Sequence, residues 1–229
     1  MIFRGKNGKF FNPLKKTRNC ATLNQMNNKI AAALFLFLLA QVAPASEIKA
    51  MIGMNSSKYL FSSEINSLNR QQKIGFGVGL GWAFNLNQKM KLEINALYSQ
   101  KGAKASIAYA PDKTVSGFYT NTTIGFPFFF KYKFKEKASP YAALGPEFVF
   151  IVSHHLKIPE SGDDFDLLDN TKKFILAFNA LLGYEWPIGQ WGLFAEIRYS
   201  RWLNNFLIDP EATVKSESVA FLLGGVYYL

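Results

Sequence analysis

Residues 73–84 read KIGFGVGLGWAF, and this stretch restricts the fold more than any other. Glycine occupies every second position (Gly75, Gly77, Gly79, Gly81), with a large apolar side chain at each position between. A phosphate-cradling G-x-G-x-x-G loop does not fit, because its third glycine falls on Leu80 or Trp82 and no Gly-Lys-Ser/Thr follows. The spacing is period two. It sets Ile74, Phe76, Val78, Leu80, Trp82 and Phe84 on one face of a strand, and the glycines with Ala83 on the other. In a soluble protein the greasy face would pack into a core; in a membrane barrel it would face lipid while the glycines leave room inside.

Period-two segments recur along the chain, and no stretch after residue 45 carries an i, i+3, i+4 pattern of helical length. Eight strands are expected, at about residues 47–55, 73–84, 90–100, 122–134, 140–152, 173–186, 191–201 and 218–229. Three connections are short (85–89, 135–139, 187–190) and four are long and polar (56–72, 101–121, 153–172, 202–217). Short turns alternating with long loops across an even number of strands is the layout of an outer-membrane barrel, short turns periplasmic and long loops outside. The expected fold is therefore all-β: an eight-stranded antiparallel up-and-down transmembrane β-barrel over residues 46–229, preceded by a signal peptide.

The faces of the other strands agree. Met90, Leu92, Ile94, Ala96 and Tyr98 alternate with Lys91, Glu93, Asn95, Leu97 and Ser99, and most charges share the glycine side. Ile74, Phe76, Val78, Leu80, Trp82, Phe126, Phe128 and Phe130 are expected to face lipid; a lipocalin would show the reverse sidedness. Trp82, Phe84, Tyr132, Phe134, Tyr184, Trp186 and Trp191 flank the short turns, and Tyr98, Tyr119, Tyr199 and Trp202 lie toward the long loops. Amphipathic rings favour the headgroup level, so two girdles are expected.

The formal charge of +10 suggests nucleic acid until it is divided along the chain. Seven of the 26 basic residues lie within residues 1–45 (Arg4, Lys6, Lys9, Lys15, Lys16, Arg18, Lys29), where there is no acid, so the rest is nearly balanced and no nucleic-acid partner is expected. That leader reads as a secretory signal: a basic start, the apolar run IAAALFLFLLA, then small residues at Ala43 and Ala45, with cleavage expected after Ala45. Met26 opens a segment that by itself reads as a complete signal peptide, so residues 1–25 are either a mis-assigned start or a long n-region. The one cysteine, Cys20, falls in the leader, so the barrel has no disulfide to rely on.

EINALYSQKGAKA (93–105), IGFPFFFKYKF (124–134), PYAALGPEF (140–148), LLGYEW (181–186), AEIRYS (195–200) and the closing LGGVYYL resemble, in order, the signatures of the outer-membrane β-barrel domain family, the small porin-type barrels similar in architecture to OmpX and the OmpA membrane domain. The resemblance spans nearly all of residues 48–229. It implies a Gram-negative outer membrane, with outer-membrane lipid, lipopolysaccharide and the barrel assembly machinery as partners. It supplies fold and place more firmly than activity. The sequence departs from the family in having Leu229 after Tyr227 and Tyr228, where such barrels commonly end on an aromatic residue. Pro127 and Pro146 sit inside expected strands, where each removes a ladder hydrogen bond, so bulges are expected there.

An eight-stranded barrel has an interior just wide enough for side chains to fill. The strand phasing places Lys49, Glu93, Lys131, Lys133, Glu147, Glu185, Glu196 and Arg198 in the lumen, where buried charges must pair. A salt-bridge network plugging the barrel is expected, with a gated ion or proton path as its functional alternative. Ser153, His154 and His155 open the third long loop and have the residue types of an outer-membrane acylhydrolase or acyltransferase; adjacent strand residues point to opposite faces, so at most one histidine could join a site, and no catalytic residue is assigned. Asp163, Asp164, Asp166 and Asp169 lack the EF-hand spacing and read as a solvated acidic loop, with neither metal nor cofactor expected. Asn55-Ser-Ser and Asn121-Thr-Thr match a glycosylation pattern by chance. The expected function is a structural, surface-recognition or permeability-related envelope protein rather than an enzyme. Loop composition does not encode which extracellular ligand, if any, is bound.

Overall fold

The computed structural model describes residues 46–61, 70–110, 113–135, 138–208 and 213–229. The leader expected over residues 1–45, with its apolar run, Cys20 and cleavage point, lies outside the described residues, as do positions 62–69 of the first long loop. Nine strands are described: β1 Glu47–Phe61, β2 Arg70–Asn85, β3 Met90–Ala110, β4 Lys113–Lys133, β5 Ser139–Ile158, β6 Asp163–Asp166, β7 Phe174–Ile188, β8 Trp191–Trp202 and β9 Val214–Tyr228. Each barrel strand pairs antiparallel with its neighbours in the chain, and β9 returns to β1 from Glu47↔Tyr228 to Phe61↔Val214. Eight strands thus close into a ring with no free edge in the membrane, as hydrocarbon requires of backbone polar groups. The short β6 pairs with the far end of β5, outside the ring.

Burial alternates residue by residue: along β8 Gly192, Phe194, Glu196, Arg198, Ser200 and Trp202 are buried, while Leu193, Ile197 and Tyr199 are exposed. The glycines of β2 face inward, and neighbouring side chains take the space they leave. A methyl group at Gly81 would overlap Asn95 Oδ1; at Gly125 it would overlap the Glu147 carboxylate, and at Gly183 the Tyr141 ring. The short turns are equally local. Asn87 Oδ1 accepts from the backbone N–H groups of Lys89 and Met90 (2.9 and 2.8 Å). Gly189, at φ 65°, supplies the left-handed residue of the two-residue link between β7 and β8.

Three expectations need correction. First, the strands run further than the sequence pattern: β3, β4 and β5 are 21, 21 and 20 residues long, against roughly 9–11 needed to cross a bilayer. The ladder continues where period-two hydrophobicity stops, because backbone pairing does not need an apolar face. The loop expected at 101–121 is largely the β3–β4 hairpin. Second, no bulge sits at Pro127 or Pro146. Each falls where the β4 ladders skip pairings without changing register, so the missing N–H is absorbed without an extra residue. One of the register shifts instead leaves Val152 unpaired between Thr122↔Ser153 and Thr123↔Ile151. Third, Tyr119 and Trp202 leave the expected outer girdle and turn inward, sharing the strand parity of Lys131 and Arg198 respectively.

Candidate functional site

The half of the lumen beside the short turns is filled by ionised side chains two residues apart on one strand face: Glu47 and Lys49 on β1, Lys91 and Glu93 on β3, Lys131 and Lys133 on β4, Glu196 and Arg198 on β8, with Glu185 on β7. Lys49 donates to Glu93 (2.6 Å) and lies 3.5 Å from Glu196. Lys131 reaches Glu185 (3.0 Å) and Glu93 (3.7 Å), and Lys133 reaches Glu185 (2.5 Å) and Glu47 (3.6 Å). Lys91 pairs with Glu47, and Arg198 Nη2 with Glu196 (2.9 Å). Hydroxyls complete it: Tyr141 donates to Glu196 and Tyr228 to Glu185, both at 2.8 Å. Lys131 also sits over the Tyr141 ring, 3.7 Å from its centroid. Such an array repays the desolvation of its charges only where they are paired, as each of the nine is, although Glu47 Oε2 and Arg198 Nε and Nη1 have no partner among the described residues.

Of the sequence-derived lumen residues, Lys49, Glu93, Lys131, Lys133, Glu185, Glu196 and Arg198 are brought together here. Glu147 is not: it is buried, and its Oε2 accepts from Asn179 (2.8 Å) and Ser200 (3.2 Å) rather than from a cation. Glu47 and Lys91 also belong to the network: the phasing set Lys91 on the inward face but outside the lumen set, and Glu47, which shares the parity of Lys49, was not assigned a face.

The other half of the lumen is dominated by an apolar cluster, with polar side chains such as Asn121, His154 and Ser216 buried beside it. Tyr59, Val149, Ile151, Ile175, Trp202, Phe206 and Val214 form a buried cluster against which Tyr119 packs. Phe206 comes from the β8–β9 connection, not from a barrel strand; its ring lies 5.1 Å from Tyr59, 5.3 Å from Trp202 and 5.6 Å from His154. The connection is held by Lys172 N–H donating to Phe206 O (2.7 Å) and Phe206 N–H donating to Val214 O (3.1 Å).

His154 and His155 point to opposite sides. The unpaired Val152 shifts the phase so that His154 turns inward, above the outer girdle, with Nδ1 2.7 Å from Thr171 Oγ1. Thr171 donates to Leu167 O, so it accepts from His154. Burial, helped by the neighbouring His155, pushes the His154 imidazole down to about 4. His155 is solvent-facing beside Asp164 (3.3 Å). Among the described residues neither histidine is hydrogen-bonded to a serine, the contact a nucleophile–base pair needs.

The acidic segment forms β6 and the 3-10 turn Leu168–Asn170, with Asp164 also 3.8 Å from Lys157, and among the described residues no group of three or more His, Cys, Asp or Glu is placed to hold a metal. Asn55 and Asn121 are buried in the lumen, out of reach of a glycosylating enzyme.

On the outer face, Ile74, Phe76, Val78, Leu80, Trp82 and Phe130 are exposed, while Phe126 and Phe128 are half-buried because their rings pack edge-on against Phe150 and Phe148 (6.0 and 5.7 Å). Beside the short turns, Tyr184–Trp186 (4.6 Å) and Trp191–Tyr227 (4.7 Å) form ring pairs at the expected girdle.

A closed antiparallel ring with apolar residues outside and charges inside is the sidedness of a barrel dissolved in lipid. The profile of the outer membrane protein beta-barrel domain family matches residues 39–207, well over half of the chain. The chain belongs to this family. It is thus an outer-membrane β-barrel protein, a class whose members carry short turns on the periplasmic side and longer connections outside. No curated protein matches it. Solved structures share the architecture at low identity. Neisserial surface protein A is 15% identical, covering 80% of this chain and 97% of that one, with a TM-score of 0.45. OprG of Pseudomonas aeruginosa is 10% identical, covering 82% and 98%, TM-score 0.49. Ail, the attachment invasion locus protein of Yersinia pestis, is 16% identical, covering 79% and 98%, TM-score 0.43. No ligand for this chain follows from likeness at this level.

Proposed function

We propose that this outer-membrane barrel acts as a surface-recognition protein, its plugged lumen serving as a rigid base rather than a passage. The observation carrying this reading is the overshoot of β3, β4 and β5, about twice the length a bilayer requires, which supports an ordered sheet outside the membrane with β6 along it. The lumen beneath is filled by charge pairs on one side and aromatic rings on the other, which supports a structural rather than a diffusive role. The buried position of His154, bonded to Thr171, supports a non-enzymatic reading over lipid modification.

In this reading the leader, residues 1–45, directs export and is cleaved after Ala45. Lys58, Lys104 and Arg201 face outward above the girdle, which supports lipopolysaccharide phosphates as their contact; Glu217 lies 3.6 Å from Lys58 and 3.7 Å from Arg201. The test is to replace residues 106–116, the tip of the β3–β4 hairpin, with a short turn. The shortened barrel should keep its heat-dependent electrophoretic mobility, while cells displaying it lose adhesion to surfaces relative to cells displaying the full chain. Equal adhesion overturns the proposal, and stepwise ion conductance of the full chain in planar bilayers would replace it with the narrow-pore alternative.

A further inference from the structure

The connection before β7 and the connection between β8 and β9 are clasped to each other. Thr171 pairs with Leu207 as an antiparallel bridge, Lys172 N–H donates to Phe206 O (2.7 Å), and Ile208 N–H donates to Asn170 O (3.1 Å). The clasp holds the Phe206 ring down in the apolar cluster, against Tyr59, Trp202 and His154.

Both sides of the clasp meet His154. Its Nδ1–H donates to Thr171 Oγ1 (2.7 Å), and its ring faces Phe206 at 5.6 Å and Tyr119 at 6.1 Å. With the proton on Nδ1, the bare nitrogen is Nε2, which is buried and has no partner among the described residues. The seat is therefore made for a neutral ring. A proton added at Nε2 would create a buried donor with no acceptor and a charge among aromatic rings, both unfavourable. The groups around it do little to relieve that charge. His155, the next residue on β5, opposes it; Asp166 of β6 favours it but is itself solvent-exposed, with Oδ1 accepting from Leu168 N–H. Asp169 of the 3-10 turn is also exposed, the Tyr119 phenol of β4 stays neutral in acid, and residues 203–208 of the clasp contain no ionisable side chain. Lys101 of β3 stands opposite Asn121, which in turn stands opposite His154, so the nearest cation on that side adds a like charge.

We propose that His154 is an acid-operated release for this clasp: protonation drives its ring out from beneath Phe206, Phe206 leaves the aromatic cluster, and the outer half of the lumen opens to the extracellular side. Burial holds the seated imidazole at about 4, against about 6.5 for a free one. Protons thus bind the released form more tightly. The shift toward release is absent above pH 6.5, grows as pH falls and is complete below 4, where the ratio of released to seated form is about 300 times its neutral value. The release is independent of what the extracellular sheet recognises.

The test reads amide hydrogen exchange, corrected for the intrinsic effect of pH, in the barrel folded in detergent. The Lys172 and Ile208 amides, which donate across the clasp, should exchange up to about 300-fold faster at pH 4 than at pH 7, while amides of the β1–β9 seam stay as they were. His154→Phe keeps a ring in the seat and cannot take the proton, so its clasp should show no acid response; His155→Gln should keep the response. Should His154→Phe fail to fold, the wild-type barrel decides: exchange across the clasp must follow the imidazole titration of His154, measured by NMR in the same sample, and not that of His155. With Trp202 as the only tryptophan, its quenching by acrylamide should rise over the same range. No acid response across the clasp, an equal response in His154→Phe, seam amides accelerating in step with the clasp, or a Trp202 shielded at every pH would each overturn the proposal.

Discussion

The two halves of the lumen solve one problem by opposite means. Beside the short turns, strands β1, β3, β4, β7 and β8 contribute nine charged side chains, five cations and four carboxylates, that pair with one another, whereas beside the long connections the space is filled mainly by rings and aliphatic side chains, with Phe206 delivered from a loop. The ionic half is built wholly from barrel strands whose positions the ladder fixes, which is the condition under which buried charge pairs are tolerable. The aromatic half lies where strands give way to connections. Non-directional packing tolerates the looser geometry of a loop residue better than a charge pair would.

This contrast makes the largest effect fall on the ionic half. Glu185→Ala removes the partner of Lys131 and Lys133 and an acceptor of Tyr228 at once, and should cost about 4 kcal/mol in urea unfolding from lipid vesicles. The paired change Lys131→Met with Glu185→Leu should cost less, because Lys131 is no longer stranded and Lys133 keeps Glu47 at 3.6 Å. Equal costs for the two would break the comparison. Phe206→Ala should cost roughly 3 kcal/mol by opening a cavity in the aromatic half. A cost near zero would mean that the loop residue is not part of the packing.

Between the halves, Gly81→Ala should cost about 2 kcal/mol, since its methyl group must displace Asn95, while Gly77→Ala should stay within about 0.5 kcal/mol. The remaining effect concerns pH and is confined to acid conditions. Because His154 is held at about 4 in the folded barrel and ordinarily titrates near 6.5, the unfolded chain binds more protons between these values. Stability should be unaffected by His154 above pH 6.5 and fall as pH drops from 6.5 to 4, and His154→Phe should flatten that part of the profile.

The inner and outer faces were legible because period two is a strong signal where one face meets hydrocarbon. The same parity that placed Glu196 and Arg198 in the lumen also pointed Trp202 inward, and only its position near a long connection suggested the girdle. Strand ends were illegible for a different reason: residues 101–110 pair as ladder without an apolar face, so no periodicity marks them. The pairing of Glu147 with amide and hydroxyl, and the arrival of Phe206 from a loop, depend on contacts between residues distant in sequence, which strand phasing does not contain. The phase change at Val152 that turns His154 inward is likewise a property of two strands together.

The central claim is sidedness, and two tryptophans report it directly. Trp82 is 37% exposed on the outer face and Trp202 is fully buried in the lumen. With each retained as the only tryptophan, the barrel would be folded into bilayers whose acyl chains carry bromine, a contact quencher of indole fluorescence. Strong quenching of Trp82 with Trp202 unaffected is the predicted result; quenching of Trp202 with Trp82 protected would contradict it.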